Sequence, residues 1–311
     1  MPDNTIRIGT RKSALALWQA EWVKTRLTEL HPGIRVEIVK ITTKGDKILD
    51  VPLARIGGKG LFVKEIEEEL ISGHIDIAVH SMKDMPSDLP ERLMIGAVPE
   101  REDPFDALVS HGDLLMHLPA GARIGTSSLR RAAQLKRLRP DAIIHSLRGN
   151  LDTRLRKLAE GQYDAIVVAV AGLARMGLEE KIVEYLGPPD FLPAVGQGAL
   201  AVETRSDDKR VNEAIAPLEN FEARTTTTGE RAFLAELKGG CQVPIAAHAS
   251  IIDGRFYLIG MVADPDGSKM IRDGIEGEPE QAEKLGHELG RKVLQAGADQ
   301  ILDELYRDAT K

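Results

Sequence analysis

Cysteine is almost missing from this chain: among 311 residues there is one, Cys241. A sole thiol excludes an internal disulfide and a metal site built from cysteine alone. Long apolar runs are missing too, and none could span a membrane as a helix. Residues Met1 to Thr10 lack the basic and apolar regions of a secretory signal. The cytoplasm is therefore the expected location, and a free thiol is compatible with it. The eight histidines are scattered without metal spacing, and the chain has no H-E-x-x-H, P-loop or G-x-G-x-x-G pattern. Neither a metal nor a nucleotide is expected. The net charge of −7 lacks the positive excess of a nucleic-acid binder. What remains, 42% hydrophobic and 29% charged residues, is ordinary for a folded protein, and the length predicts two or three domains.

The single cysteine sits in Lys238-Gly239-Gly240-Cys241-Gln242-Val243-Pro244. Paired glycines before it and a proline after it predict a tight, exposed turn. A thiol displayed this way serves as a nucleophile or as a point of covalent attachment. The local sequence is equally compatible with a small buried hydrophobe.

Charge is unevenly spread. Residues 123–157 carry ten Lys and Arg against Asp141 and Asp152, an excess of eight positive charges in 35 residues. That density of arginine suits an anion site better than a solvated helix face.

The first segment predicts a strand at Ile6–Ile8, a turn through Gly9-Thr10-Arg11-Lys12-Ser13, and a helix presenting Leu17, Ala20, Val23 and Leu27. A strand with Ile34, Val36, Ile38 and Ile41 follows, then the glycine-rich loop Val51–Gly60 and a helix near 61–72. A short buried strand, Ile75–Val79, runs into His80-Ser81-Met82-Lys83-Asp84. The pattern then repeats. Ile124-Gly125-Thr126 echoes Ile8-Gly9-Thr10, and Gly161–Val167 echoes Gly73–Val79. Two related α/β domains with largely parallel sheets are implied. Connections at Pro99–Pro104 and Leu192–Gly198 could be hinges, and the apolar run Ala199–Val202 could return to the first sheet. A helix around Gly229–Leu237, three strands joined by turns at Asp253-Gly254 and Asp264–Gly267, and two closing helices predict a small α+β domain.

Several motifs carry chemistry. Gly125-Thr126-Ser127-Ser128-Leu129-Arg130-Arg131 places hydroxyls and backbone N–H groups at a helix start, with two arginines in the first turn. Ser127 or Ser128 could be an ordinary N-cap. Arginines are badly placed at the positive end of a helix dipole, however, and a bound anion accounts for them better. Arg148, after the apolar run Ala142–Ile144, and Arg175, after Ala165–Val170, fall beyond strand ends, where α/β sheets bind ligands. Lys83-Asp84 falls at such an end as well. Asp84 is read either as a turn residue or as a carboxylate, kept ionised by surrounding arginines, that stabilises a cation or moves a proton.

Taken in order along nearly the whole chain, these motifs resemble the porphobilinogen deaminase (hydroxymethylbilane synthase) family. The resemblance rests on Arg11–Ala20, Gly57–Phe62, His80–Asp84, Gly125–Arg131, Leu147–Asn150, Leu192–Gly198 and Gly239–Pro244. It implies two periplasmic-binding-protein-like α/β lobes, at 1–99 with 199–217 and at 104–193. A small α+β domain at 221–311 then carries the cofactor cysteine. It implies an enzyme that joins four porphobilinogen molecules head to tail with loss of ammonia, on one dipyrromethane cofactor attached by a thioether to Cys241. The catalytic residue implied is Asp84. The cofactor would be held by Lys83, Asp84, Thr126, Ser128, Arg130, Arg131 and Arg148, and the substrate by Arg11, Ser13, Arg148, Arg154, Arg175 and Gln197. The full chain of six rings carries twelve carboxylates. Two of these about 4 Å apart repel by roughly 4 kcal/mol at an effective dielectric near 20, so dense cationic compensation is required. A monomer acting on a small molecule, without nucleic acid or membrane, is implied. Ala133 stands where some members have a second cysteine. A two-lobed anion-binding protein without catalysis is the alternative.

Overall fold

A computed structural model describes residues 4–47, 63–239 and 243–309. Cys241 and the glycine-rich loop Val51–Gly60 lie outside them. The described residues form two compact units, one of 4–47, 63–102 and 199–224, the other of 103–198 and 225–309. Strands and helices are numbered here along the chain.

In the first unit, Ile6 and Ile8 alternate with polar neighbours and are fully buried in strand Thr5–Arg11 (β1). Helix Ala14–Leu30 (α1), strand Arg35–Ile41 (β2), helix Lys64–Ile71 (α2) and strands Ile77–Ser81 (β3) and Leu93–Ala97 (β4) follow. Strand Leu200–Arg205 (β10) completes a five-stranded sheet of order β2-β1-β3-β10-β4, followed by a short helix, Lys209–Ile215 (α6). β1 pairs parallel with β2 and β3, whereas β10 runs antiparallel between β3 and β4. Two helices cover the two faces. Ala20, Val23 and Leu27 of α1 meet Ile6, Ile8, Ile77 and Val79 on one side. Ile66 and Leu70 of α2 meet Ile75, Ala78 and Leu93 on the other.

The second unit opens with the same plan. Strands Asp106–Ser110 (β5), Arg123–Gly125 (β6), Ile143–His145 (β7), Ala165–Ala169 (β8) and Glu184–Leu186 (β9) form a sheet of order β7-β6-β8-β5-β9. Helices Leu129–Leu138 (α3), Leu151–Ala159 (α4) and Val170–Arg175 (α5) flank it. β6 pairs parallel with β7 and β8, as β1 does with β2 and β3. The repeat extends to single atoms. The Arg7 backbone N, Nε and Nη2 donate to the Asp76 carboxylate at 2.8, 3.0 and 3.0 Å. The same three groups of Arg123 donate to Asp164 at 2.7, 3.2 and 2.8 Å. Each pair ties the first parallel strand to the turn before its neighbour.

The rest of this unit is helix Phe221–Glu236 (α7), from Thr225 onward, a three-stranded antiparallel sheet and two closing helices. The strands are Ile245–Ile252 (β11), Arg255–Ala263 (β12) and Met270–Gly277 (β13), and the helices are Ala282–Val293 (α8) and Asp299–Ala309 (α9). α7 starts eight residues before the expected 229. The run Thr225–Thr228 is a poor helix former, but Asn220 Oδ1 accepts from Ala223 N at 2.9 Å, and Thr225, Thr226 and Thr227 are buried. Capping and packing thus override local propensity. Phe233 and Leu237 pack with Leu285 and Leu289 on one face of the small sheet. The other face presents Ala246, Met261 and Ala263 to Ala133 of α3 and to Leu192. Segments 104–193 and 221–311 each keep a main core of their own and meet through this apolar cluster.

Candidate active site

The first unit gathers its expected residues at the carboxyl ends of β1 and β3. Arg11 is the last residue of β1, and Ser13 caps α1, accepting from Ala16 N at 3.3 Å. Beyond β3 the chain makes one tight turn, Met82–Asp84, pinned by Met82 N donating to Ala199 O at 3.0 Å. That turn carries Lys83 and Asp84. Arg11, Ser13, Gln19, His80, Ser81 and Asp84 line one pocket. Gln19 Nε2 donates to Ser81 Oγ at 2.9 Å across its floor, fixing the α1 start against the β3 end. Asp84 was expected among many arginines. Within its own unit, Arg11 is the arginine that lines its pocket, because the arginine-rich stretch folds into the second unit.

The second unit does the same at the ends of β6, β7 and β8. Thr126 follows β6 and is buried; its Oγ1 accepts from Ser128 N at 3.2 Å. Ser128 caps α3, accepting from Arg131 N at 3.4 Å. Arg148 follows β7, Arg154 lies on α4, and Arg175 ends α5. Arg154 Nε donates to Gly149 O at 2.9 Å, and Arg175 Nη2 donates to Gly198 O at 2.6 Å. Arg148 Nη2 is buried with no hydrogen-bond partner among the described residues. A buried guanidinium nitrogen in that state costs free energy until an acceptor arrives.

Arg130 and Arg131 turn out differently from a simple anion clamp. Both are 5% exposed and fold onto Asp106, which is wholly buried. Arg130 Nη1 donates to Asp106 Oδ2 at 2.7 Å. Arg131 Nε and Nη2 donate to Oδ1 at 3.0 and 2.6 Å. Gln197 Nε2 donates to the same Oδ1 at 2.9 Å and to the Pro104 and Phe105 carbonyls. The carboxylate that balances this arginine pair is thus one of the protein's own. Two cations against one anion leave the cluster one positive charge in excess at the start of α3. Burial alone would push Asp106 up; the charges of Arg130 and Arg131 and their hydrogen bonds outweigh it and hold the carboxyl far below its usual range. Asp106 was not singled out from the sequence, where it is one acidic residue ahead of the apolar run Ala107–Val109. Nor was Glu230, whose carboxylate accepts from Gly196 N at 2.7 Å and Ala249 N at 2.9 Å. It thereby joins the 192–198 segment to β11.

Family models match most of the chain: "Porphobilinogen deaminase, dipyromethane cofactor binding domain" over residues 6–213, and "Porphobilinogen deaminase, C-terminal domain" over 225–295. This chain belongs to the porphobilinogen deaminase family. The porphobilinogen deaminase of Syntrophobacter fumaroxidans is 54% identical over 308 residues, covering 99% of this chain and 100% of that one. That of Syntrophotalea carbinolica is 56% identical over 306 residues, covering 98% and 97%. Among solved structures, the periplasmic VFT2 domain of Bordetella pertussis BvgS is 18% identical, with a TM-score of 0.40, covering 72% of this chain and 92% of that one. Membership makes the chain an enzyme of tetrapyrrole biosynthesis whose cofactor is dipyrromethane. The residues present suit such a group: a dicarboxylate ring system supplies an acceptor for Arg148 Nη2.

Proposed function

We propose that this enzyme joins four porphobilinogen molecules head to tail, releasing one ammonia per addition, to give hydroxymethylbilane. The cofactor is one dipyrromethane per chain, held by a thioether to Cys241. The observation that carries this reading is the pocket at the ends of β1 and β3, which brings Asp84 together with Arg11 and Ser13 in a family match spanning nearly the whole chain.

Bound dipyrromethane supplies a free pyrrole α-carbon as the nucleophile. The protein's residues bind, orient and stabilise. Asp84, an acceptor only when ionised, takes pyrrole N–H hydrogen bonds and stabilises the positive charge that develops on the incoming substrate as ammonia departs. Arg11 and Ser13 hold substrate carboxylates beside it. Arg148, with its unpartnered Nη2, and Arg154 and Arg175 bind carboxylates in the second unit. Lys83, Thr126, Ser128, Arg130 and Arg131 hold the cofactor's acid side chains. For the arginine pair this means their outward charge, since Asp106 takes their inward donors. Gln197 acts by ordering Asp106. The working form proposed is a cytoplasmic monomer of three domains; among the described residues no helix is long and apolar enough to cross a membrane.

Intact mass of the denatured protein beside a Cys241→Ser control tests this. The expected result is an excess of two pyrrole units on the wild type only, growing by one unit at a time on incubation with porphobilinogen. A bare-chain mass that stays unchanged after incubation would favour a non-catalytic anion-binding protein instead.

A further inference from the structure

The same pocket has buried titratable groups behind it to which the proposed chemistry gives no task. His80, one residue before the end of β3, lines the pocket with Asp84. Its Nε2 lies 3.0 Å from Glu203 Oε2 on β10, within hydrogen-bond distance. Glu203 lies opposite Ala78 in the β3–β10 ladder, so it shares a sheet face with His80 two residues away. α2 covers that face and adds Glu67, which is also buried. Glu203 and Glu67 each keep one carboxyl oxygen, Oε1, buried with no hydrogen-bond partner among the described residues. Among the described residues, neither forms an ion pair with Lys or Arg. The titratable and charged groups around His80 are therefore Asp84 and Arg11 on the pocket side, Glu203 from β10 and Glu67 from α2, with Glu68 next to Glu67 along the helix. β4, on the far side of β10, brings Leu93-Met94-Ile95-Gly96-Ala97 and no charge.

For Glu67, an unpartnered carboxyl oxygen in a dry region favours the protonated form over a second negative charge. Burial, reinforced by the charge of Glu203, pushes the Glu67 carboxyl above its usual range, in the same direction. With an ionised Glu203 as acceptor, Nε2–H is the donor of this contact and Nδ1 is the basic nitrogen of His80.

We propose that His80, Glu203 and Glu67 form a buried proton store behind the Asp84 pocket, and that His80 takes up the proton released in each addition. The proposal rests on the function given above. Porphobilinogen enters with its aminomethyl group protonated, and the C–N bond breaks to release neutral ammonia. A new C–C bond forms at the attacking α-carbon, whose C–H bond then breaks. The C–H electron pair returns to the ring, and the proton passes to His80 Nδ1. Ammonia takes that proton and leaves as ammonium, so charge balances without an oxidant or reductant. Glu203 is the positioning residue that fixes the tautomer and stabilises the imidazolium, and Glu67 shares its buried region.

The test uses the cofactor-loaded enzyme. Histidine side-chain NMR titration follows wild type, Glu203→Gln and Glu67→Gln, with His80→Asn assigning the signal, and kcat and KM are measured against pH on the same samples. The expected result is a lower His80 protonation midpoint in Glu203→Gln. The pH limb of kcat should follow that midpoint. In His80→Asn kcat should fall about a hundredfold, with KM within about twofold of wild type. A kcat profile in His80→Asn that superimposes on wild type overturns the proposal, as does a His80 signal indifferent to Glu203→Gln. Should His80→Asn fail to fold, the near-isosteric Glu203→Gln decides alone. Mass of the wild type keeps the two questions apart: two pyrrole units present with an unshifted profile defeats the proton store only, and a wild type that never gains them defeats the function as well.

Discussion

Asp106 shows how one buried carboxylate changes the meaning of two arginines. From the sequence, Arg130 and Arg131 at the start of a helix imply an external anion. In the structure their inward donors go to Asp106, Leu192 O and Val167 O. Replacing a buried pair with apolar residues is often harmless, but removing one partner strands the other's charge, at about 3–5 kcal/mol. Asp106→Asn is therefore expected to lose that amount of stability by urea unfolding, with Gln197→Ala losing less because only one neutral donor goes. A midpoint for Asp106→Asn equal to wild type would show that the arginines find solvent or another acceptor. Arg148 is the contrasting residue. Its Nη2 has no acceptor among the described residues, so it is the arginine in this set whose partner must come from outside them.

At the scale of elements, both sheets place their functional residues at the carboxyl ends of parallel strands, where backbone direction and helix starts together favour anions. α3 has a second duty. Its N-terminal turn carries Arg130 and Arg131, while Ala133 on its next turn packs under the small C-terminal sheet. The turn after β12 touches this helix as well. Gly267 has φ +75°, and a Cβ there would lie 2.3 Å from Ala133 O. Gly254, at φ +76°, has open space around it. Gly267→Ala should therefore cost both the backbone strain that Gly254→Ala costs and an overpacking penalty of about 1–3 kcal/mol. Thermal unfolding of the two variants side by side measures the difference. Equal losses would show that the turn yields without moving α3.

For the molecule as a whole, acid stability follows from carboxylates held by arginines. Hydrogen bonds from Arg123 hold Asp164 below its usual range. Burial pushes Asp76 up, but hydrogen bonds and charge from Arg7 outweigh it, and Asp106 is lower still. A carboxyl with a depressed folded-state pKa contributes stability that is full above its unfolded value and lost as pH falls through the folded one. Stability should thus drop as pH falls below about 4, near the ordinary aspartate value. The loss should be smaller in the Asp76→Asn, Asp164→Asn double variant. Glu67 works in the opposite sense: its raised pKa gives stability that is full below the ordinary glutamate value and lost as pH rises through the folded one. Unfolding midpoints from pH 3 to 8 would separate the two, and a wild-type curve flat below pH 4 would contradict the first. Much of this protein is legible in its residue order. Alternating apolar residues mark β1 and β2, the repeated Ile-Gly-Thr and Gly-x-x-Asp segments mark two related lobes, and the ordered motifs mark the family, because strand period, turn chemistry and motif spacing are local properties. The pairings of Asp106, Glu203 and Glu230 were not legible. Each partner lies tens of residues or more away, and a carboxylate's role depends on which cations, imidazoles or amides the fold buries beside it. Only the tertiary structure decides that, because desolvation and charge act through space and not along the chain.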